Sequence, residues 1–175
     1  MNRIILDLCA GTGAWSRPYQ DAGYDVRRID LPQDVRLLRF LPERIHGILA
    51  APPCTCFSYA RNRYPATEAQ LRDALSVVDA CLRAVTMYRP RWWALENPRA
   101  GLRRYLGPAQ FTFLQHEFGA AAVKPTCLWG DFTLPEKCPR PRLKPSTFRT
   151  SVPNADPRDA VTPAGFAQAF FQANP

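Results

Sequence analysis

From residue 3 to residue 129, apolar β-branched runs alternate with segments of helical period, and this constrains the fold more than any other feature of the chain. Repeated strand–helix units bury parallel strands between helices, so an α/β layer fold with a mostly parallel sheet is expected. RIILDLCA (3–10) reads as a central strand, GTG as a glycine turn, and WSRPYQDAG (15–23) as a short helix closed by Gly23. YDVRRID (24–30) is the second strand and GILAA (47–51) the third. Between 68 and 88, Leu71, Leu75, Val78, Leu82 and Val85 share one helical face, which must pack on the sheet. RWWALEN (91–97) reads as a strand ending at Asn97-Pro98, and PAQFTFLQHEFG (108–119) as a helix ended by Gly119. Pro125 confines the next strand, VKPTCLW (123–129), to an edge or a bulge. Thr162-Pro163 marks a last helix, whose Phe166, Ala169 and Phe170 form an apolar face.

At 175 residues the chain is long enough for one sizeable core and short for two, so a single domain over 1–175 is expected. No apolar run reaches the length of a bilayer span, and the first residues, MNRIILDLCAG, place an aspartate inside their apolar stretch. They read as a strand and not as a signal peptide, which points to an intracellular, cytoplasmic protein. Six irregularly placed cysteines then read as reduced thiols. The net charge of +8 comes almost wholly from arginine, since Lys124, Lys137 and Lys144 are the only lysines. The guanidinium fork suits phosphates and base edges, which points to a nucleic-acid partner; a solvated basic surface is the plainer alternative. Residues 131–158, with six prolines and six lysines or arginines, form an extended basic loop.

Three strand ends carry candidate chemistry. In DLCAGTGAWS (7–16), Gly11 and Gly13 permit a tight turn whose N–H groups face a ligand, and Asp30, about twenty residues on, can accept ribose hydroxyls. Asp34 follows; the alternative is a plain turn with a surface aspartate. In APPCTCFS (51–58), Pro52-Pro53 block an immediate helix and hold Cys54 rigidly at the carboxyl edge of the sheet, as a nucleophile or as a buried structural thiol. In ALENP (94–98), Glu96 leaves the sheet beside it, so a thiol and a carboxyl share a crevice. Arg61 and Arg63, with Tyr59 and Tyr64, are placed to meet phosphates and bases, or form a solvated loop. Cys9 and Cys81 read as core. Cys54, Cys56, Cys127 and Cys138 are four thiols but lack the paired spacing of a structural zinc site.

DLCAGTGAWS, AAPPCTCFS, ALENP and FGAAAVKPT, in this order, resemble the signature elements of the DNA cytosine-5 methyltransferases. The likeness covers most of residues 3–130. It implies a Rossmann-like methyltransferase fold and a site for S-adenosyl-L-methionine formed by Asp7, Cys9, Gly11, Gly13, Asp30, Asp34 and Pro52. Cys54 is then the nucleophile that adds to cytosine C6, Glu96 the acid that holds N3, and Lys124 the cation remaining where the family has two arginines. The target base is flipped out of the duplex, at roughly a few kcal/mol, with phosphate-binding arginines offsetting the cost.

The chain departs from the family pattern at Thr55, where glutamine is usual, and at Pro98, where valine is usual. The basic loop 131–158, with Arg140 and Arg142, stands where most members carry a recognition domain, and 162–173 resembles the closing helix. A compact enzyme of viral or mobile-element type follows, with DNA as partner and a further recognition protein as a second possible one. The same chemistry on RNA or a cytosine nucleotide, and a non-catalytic DNA- or cofactor-binding subunit, are the competing readings.

Overall fold

The computed structural model describes residues 3–40, 42–58, 64–120, 124–138 and 161–175. Six strands form one sheet: β1 (Ile4–Leu8), β2 (Asp25–Ile29), β3 (Ile45–Ala50), β4 (Trp92–Pro98), β5 (Phe111–Leu114) and β6 (Pro125–Asp131), in the order β2-β1-β3-β4-β6-β5. β1 pairs in parallel with β2 and β3, and β3 with β4. β6 is antiparallel to both of its neighbours, β4 and β5. Among the described residues, four helices accompany the sheet: α1 (Arg17–Asp21), α2 (Glu68–Tyr88), α3 (Arg103–Leu106) and α4 (Ala164–Ala173).

Side-chain alternation along the strands divides the core between two faces. Ile4, Leu6, Leu8, Ile48 and Leu95 pack with Val78, Cys81, Ala84 and Tyr88 of α2. Ile5, Leu49, Trp92, Ala94 and Leu128 pack with Tyr19 of α1 and with Phe166 and Phe170 of α4. α2 starts at a reciprocal cap, in which the Thr67 hydroxyl accepts from Gln70 N–H and the Gln70 amide oxygen accepts from Thr67 N–H. As the crossover between β3 and β4, it leaves the carboxyl ends of both strands on one edge of the sheet. α4 is anchored by rings, Trp15 against Phe166 and Phe170 at 5.8 and 5.4 Å, and by the Tyr19 hydroxyl donating to Asn174 O at 2.8 Å.

Three expectations need correction. The segment 108–119 is strand β5 followed by a 3-10 turn, Gln115–Phe118, because Phe111-Thr112-Phe113 alternates with period two and only Phe113 turns fully into the core. β6 is interior and not an edge, because Pro125 is its first residue and its missing N–H interrupts no ladder. The first helix is shorter than expected, five residues with Pro18 in its opening turn.

Candidate active site

The parallel strands β1 to β4 deliver four chain segments to one edge, where open α/β sheets bind their ligands. β6 runs the other way, so Lys124, just before it, starts from that same edge. The turn after β3 is built on Cys54, whose carbonyl accepts the N–H groups of Phe57 and Ser58, each at 2.9 Å. Pro52 and Phe57 are buried, while Cys54 is half-buried. Two bonds from the end of β4 fasten this turn. The Asn97 amide donates to Pro52 O at 2.9 Å, and Gly101 N–H donates to Phe57 O at 2.7 Å.

Cys54 feels the charges of Lys124 and Glu96, and Glu96 feels that of Lys124. Burial pushes the Cys54 thiol up from its ordinary range, the Lys124 ammonium pulls it down, and the Glu96 carboxylate raises it. Burial likewise raises Glu96, with Lys124 opposing. A thiol, a carboxyl kept toward its neutral form and a cation therefore share one crevice, which suits addition to a ring whose nitrogen takes up a proton. Glu96 and Lys124 also line a narrow cleft of about 10 Å³, room for about one water, walled by Phe113, Thr126 and the start of α4 at Pro163 and Phe166.

The glycine turn after β1 differs from the cradle of N–H groups expected. Gly11 N–H donates to Asp30 Oδ2 at 2.7 Å and Gly13 N–H to Ala10 O at 2.8 Å, so both are engaged within the protein. Gly11 (φ +52°) and Gly13 (φ +69°) take left-handed backbone, and a side chain at Gly13 would run into the Arg28 guanidinium. Cys9 also has positive φ, 56°; its N–H donates to Ile29 O and its thiol meets that of Cys81. Carboxylates remain for a ligand. Asp30 accepts from Gly11 and, through Oδ1, from Leu31 N–H, which leaves lone pairs on each oxygen. Asp7 is 1 % exposed, its Oδ2 has no partner, and burial raises it to about 6. Buried acid with open space above Gly11 fits a cationic group carrying a ribose better than a phosphate.

Asp34 is spent elsewhere. It caps the turn Val35–Leu37 and pairs with Arg36 at 2.6 Å, and Arg36 in turn pairs with Asp73. Arg61, Arg63, Arg140 and Arg142 lie outside the described residues. Cys56 donates to Gln70 O, and among the described residues no group of three or more His, Cys, Asp or Glu could hold a metal ion. Asn97 was missed by sequence reasoning; the available signal was an amide side chain on an apolar strand with nothing nearby in sequence to bond it. No described helix is long and apolar enough to cross a membrane.

No family model matches the chain, and no curated protein matches it by sequence. Among solved structures, the chain is similar to a crystal structure described as a candidate DNA modification methyltransferase encoded within a prophage of E. coli, at 16 % identity and a TM-score of 0.53. The match covers 74 % of this chain and 46 % of that one, so the chain spans under half the length of its neighbour. The likeness is one of fold: a Rossmann-like α/β sheet flanked by helices, as in that methyltransferase neighbour.

Proposed function

We propose that the protein transfers a methyl group from S-adenosylmethionine to C5 of cytosine in DNA. The observation that carries this reading is that Cys54 follows β3, Glu96 lies on β4 and Lys124 precedes β6, all at one edge of the sheet. The description of the fold neighbour as a DNA modification methyltransferase supports it. S-adenosylmethionine, when bound, supplies an electrophilic methyl on a sulfonium. Asp7 and Asp30 would hold it, with the Gly11–Gly13 turn, Cys9 and Pro52 forming the walls.

Cys54 Sγ, as thiolate, bonds to C6 while Glu96 gives its proton to N3, so that C5 becomes nucleophilic and takes the methyl group. Loss of the C5 proton to water, breaking of the Sγ–C6 bond and return of the N3 proton to the Glu96 carboxylate then restore the ring, the thiolate and the acid. Lys124 favours the thiolate before attack and stabilises Glu96 once it has given up its proton. On this reading residues 1–175 act as one catalytic domain, and target choice falls to the basic segment 131–158 or to a partner protein.

The test is covalent trapping on DNA containing 5-fluorocytosine with S-adenosylmethionine present. A denaturation-resistant adduct that disappears in Cys54→Ala is expected, since fluorine cannot leave as a proton does. Absence of any adduct with wild-type protein would sink the proposal.

A further inference from the structure

The connection after β4 presents a surface that the catalytic groups do not use. Arg99, Arg103, Arg104 and Tyr105 are exposed, and RAGLRRYLG (99–107) contains no acid. Arg27, Arg36 and Arg72 each pair with carboxylates, whereas none of Arg99, Arg103 and Arg104 pairs with one among the described residues. The segment is nevertheless held firmly. Arg99 N–H donates to Pro125 O at 2.9 Å, Gly101 N–H to Phe57 O at 2.7 Å, and the Trp129 indole to Gly107 O at 3.1 Å. Leu102 is wholly buried, and the Tyr105 ring meets Phe57 of the Cys54 turn at 6.2 Å between centroids.

Three arginines carried within six residues of chain, none paired with a carboxylate among the described residues, repel one another, and a polyanion removes that repulsion. We infer that Arg99, Arg103 and Arg104 form a rigid shelf that binds the phosphates of the DNA strand whose target base enters the Cys54 crevice. The inference rests on the proposed reading of that crevice. The fastening of the shelf to the Cys54 turn fixes the distance between phosphate and thiol, so it sets the position of the base as well as adding affinity.

Arg44 and Arg91 provide the comparison, being exposed and without ion pairs among the described residues, at the opposite edge of the sheet just before β3 and β4. Binding of labelled duplex DNA is measured over a range of salt concentrations for wild type, R103Q/R104Q and R44Q/R91Q, with thermal midpoints taken as a check on folding. Each lost phosphate contact lowers the slope of log K against log salt by about 0.9. R103Q/R104Q is expected to lose about two units of slope at an unchanged midpoint, and R44Q/R91Q none. A wild-type slope in R103Q/R104Q, or a loss confined to R44Q/R91Q, overturns the shelf. The 5-fluorocytosine adduct separates the two proposals. An adduct formed by wild type while R103Q/R104Q keeps its slope removes the shelf and leaves the chemistry; slope loss without an adduct removes the chemistry and leaves the shelf as a DNA grip.

Discussion

Asp7 stands almost wholly buried with one carboxylate oxygen unpartnered, an arrangement that lowers stability unless a ligand uses it. Its folded value of about 6 lies above the ordinary 3.8, so the folded chain holds this proton between those pH values and the unfolded chain does not. Stability from this group is therefore present at low pH and lost as pH rises through about 6, by up to about 3 kcal/mol. Asp7→Asn is expected to be more stable than wild type in urea at pH 8, with a smaller gain at pH 5, and to lose cofactor affinity in calorimetry. Equal gains at both pH values would refute this account. Lys124 works in the other direction. Removing its charge in Lys124→Met raises both Cys54 and Glu96, so the bell-shaped pH profile of adduct formation should move bodily to higher pH. A profile that keeps its position would separate Lys124 from both groups.

At the scale of elements, the Cys54 turn depends on β4 for its position. Asn97→Ala leaves Pro52 O without its buried donor, at about 1–3 kcal/mol, and frees the thiol to wander. Turnover should fall more than DNA affinity does, as read from kcat against KM; unchanged kcat would mean that the turn holds its shape alone. α4 is the second dependence, because it packs on the sheet and also walls the cleft beside Glu96. Phe170→Ala, which empties a fully buried site among Trp15, Trp92 and Phe132, should cost about 3–5 kcal/mol in urea unfolding. The strand ends bearing Cys54 and Glu96 were legible in sequence because apolar runs stopped at chemically distinctive residues. Asn97 was not, because its partner lies 45 positions away and only folding brings the two together.

Across the whole molecule, the parallel half of the sheet could be read from sequence and the antiparallel half could not. β1, β3 and α2 announce themselves through period, and the crossover dictates their order. β5 is four residues long and its alternation was outweighed by the apolar spacing of the turn after it. The interior place of β6 is a fact of pairing, and nothing in PTCLWGD distinguishes a strand inserted between two others from one laid at an edge. The roles of individual glycine N–H groups were equally hidden, since the Gly11 N–H bonds to Asp30 across 19 positions.

The insertion of β6 also governs the order in which the protein can be made. β5 leaves the ribosome before β6 but has no strand to pair with until β6 takes its place beside β4. During that interval the outer flank of β4 is an unpaired, apolar template of the kind that captures other chains. A released chain ending at residue 120 should therefore aggregate, whereas the full chain, with β6 in place and α4 packed on β4, should resist protease along β4. Equal protease resistance of the two chains would show that β4 is shielded by other means.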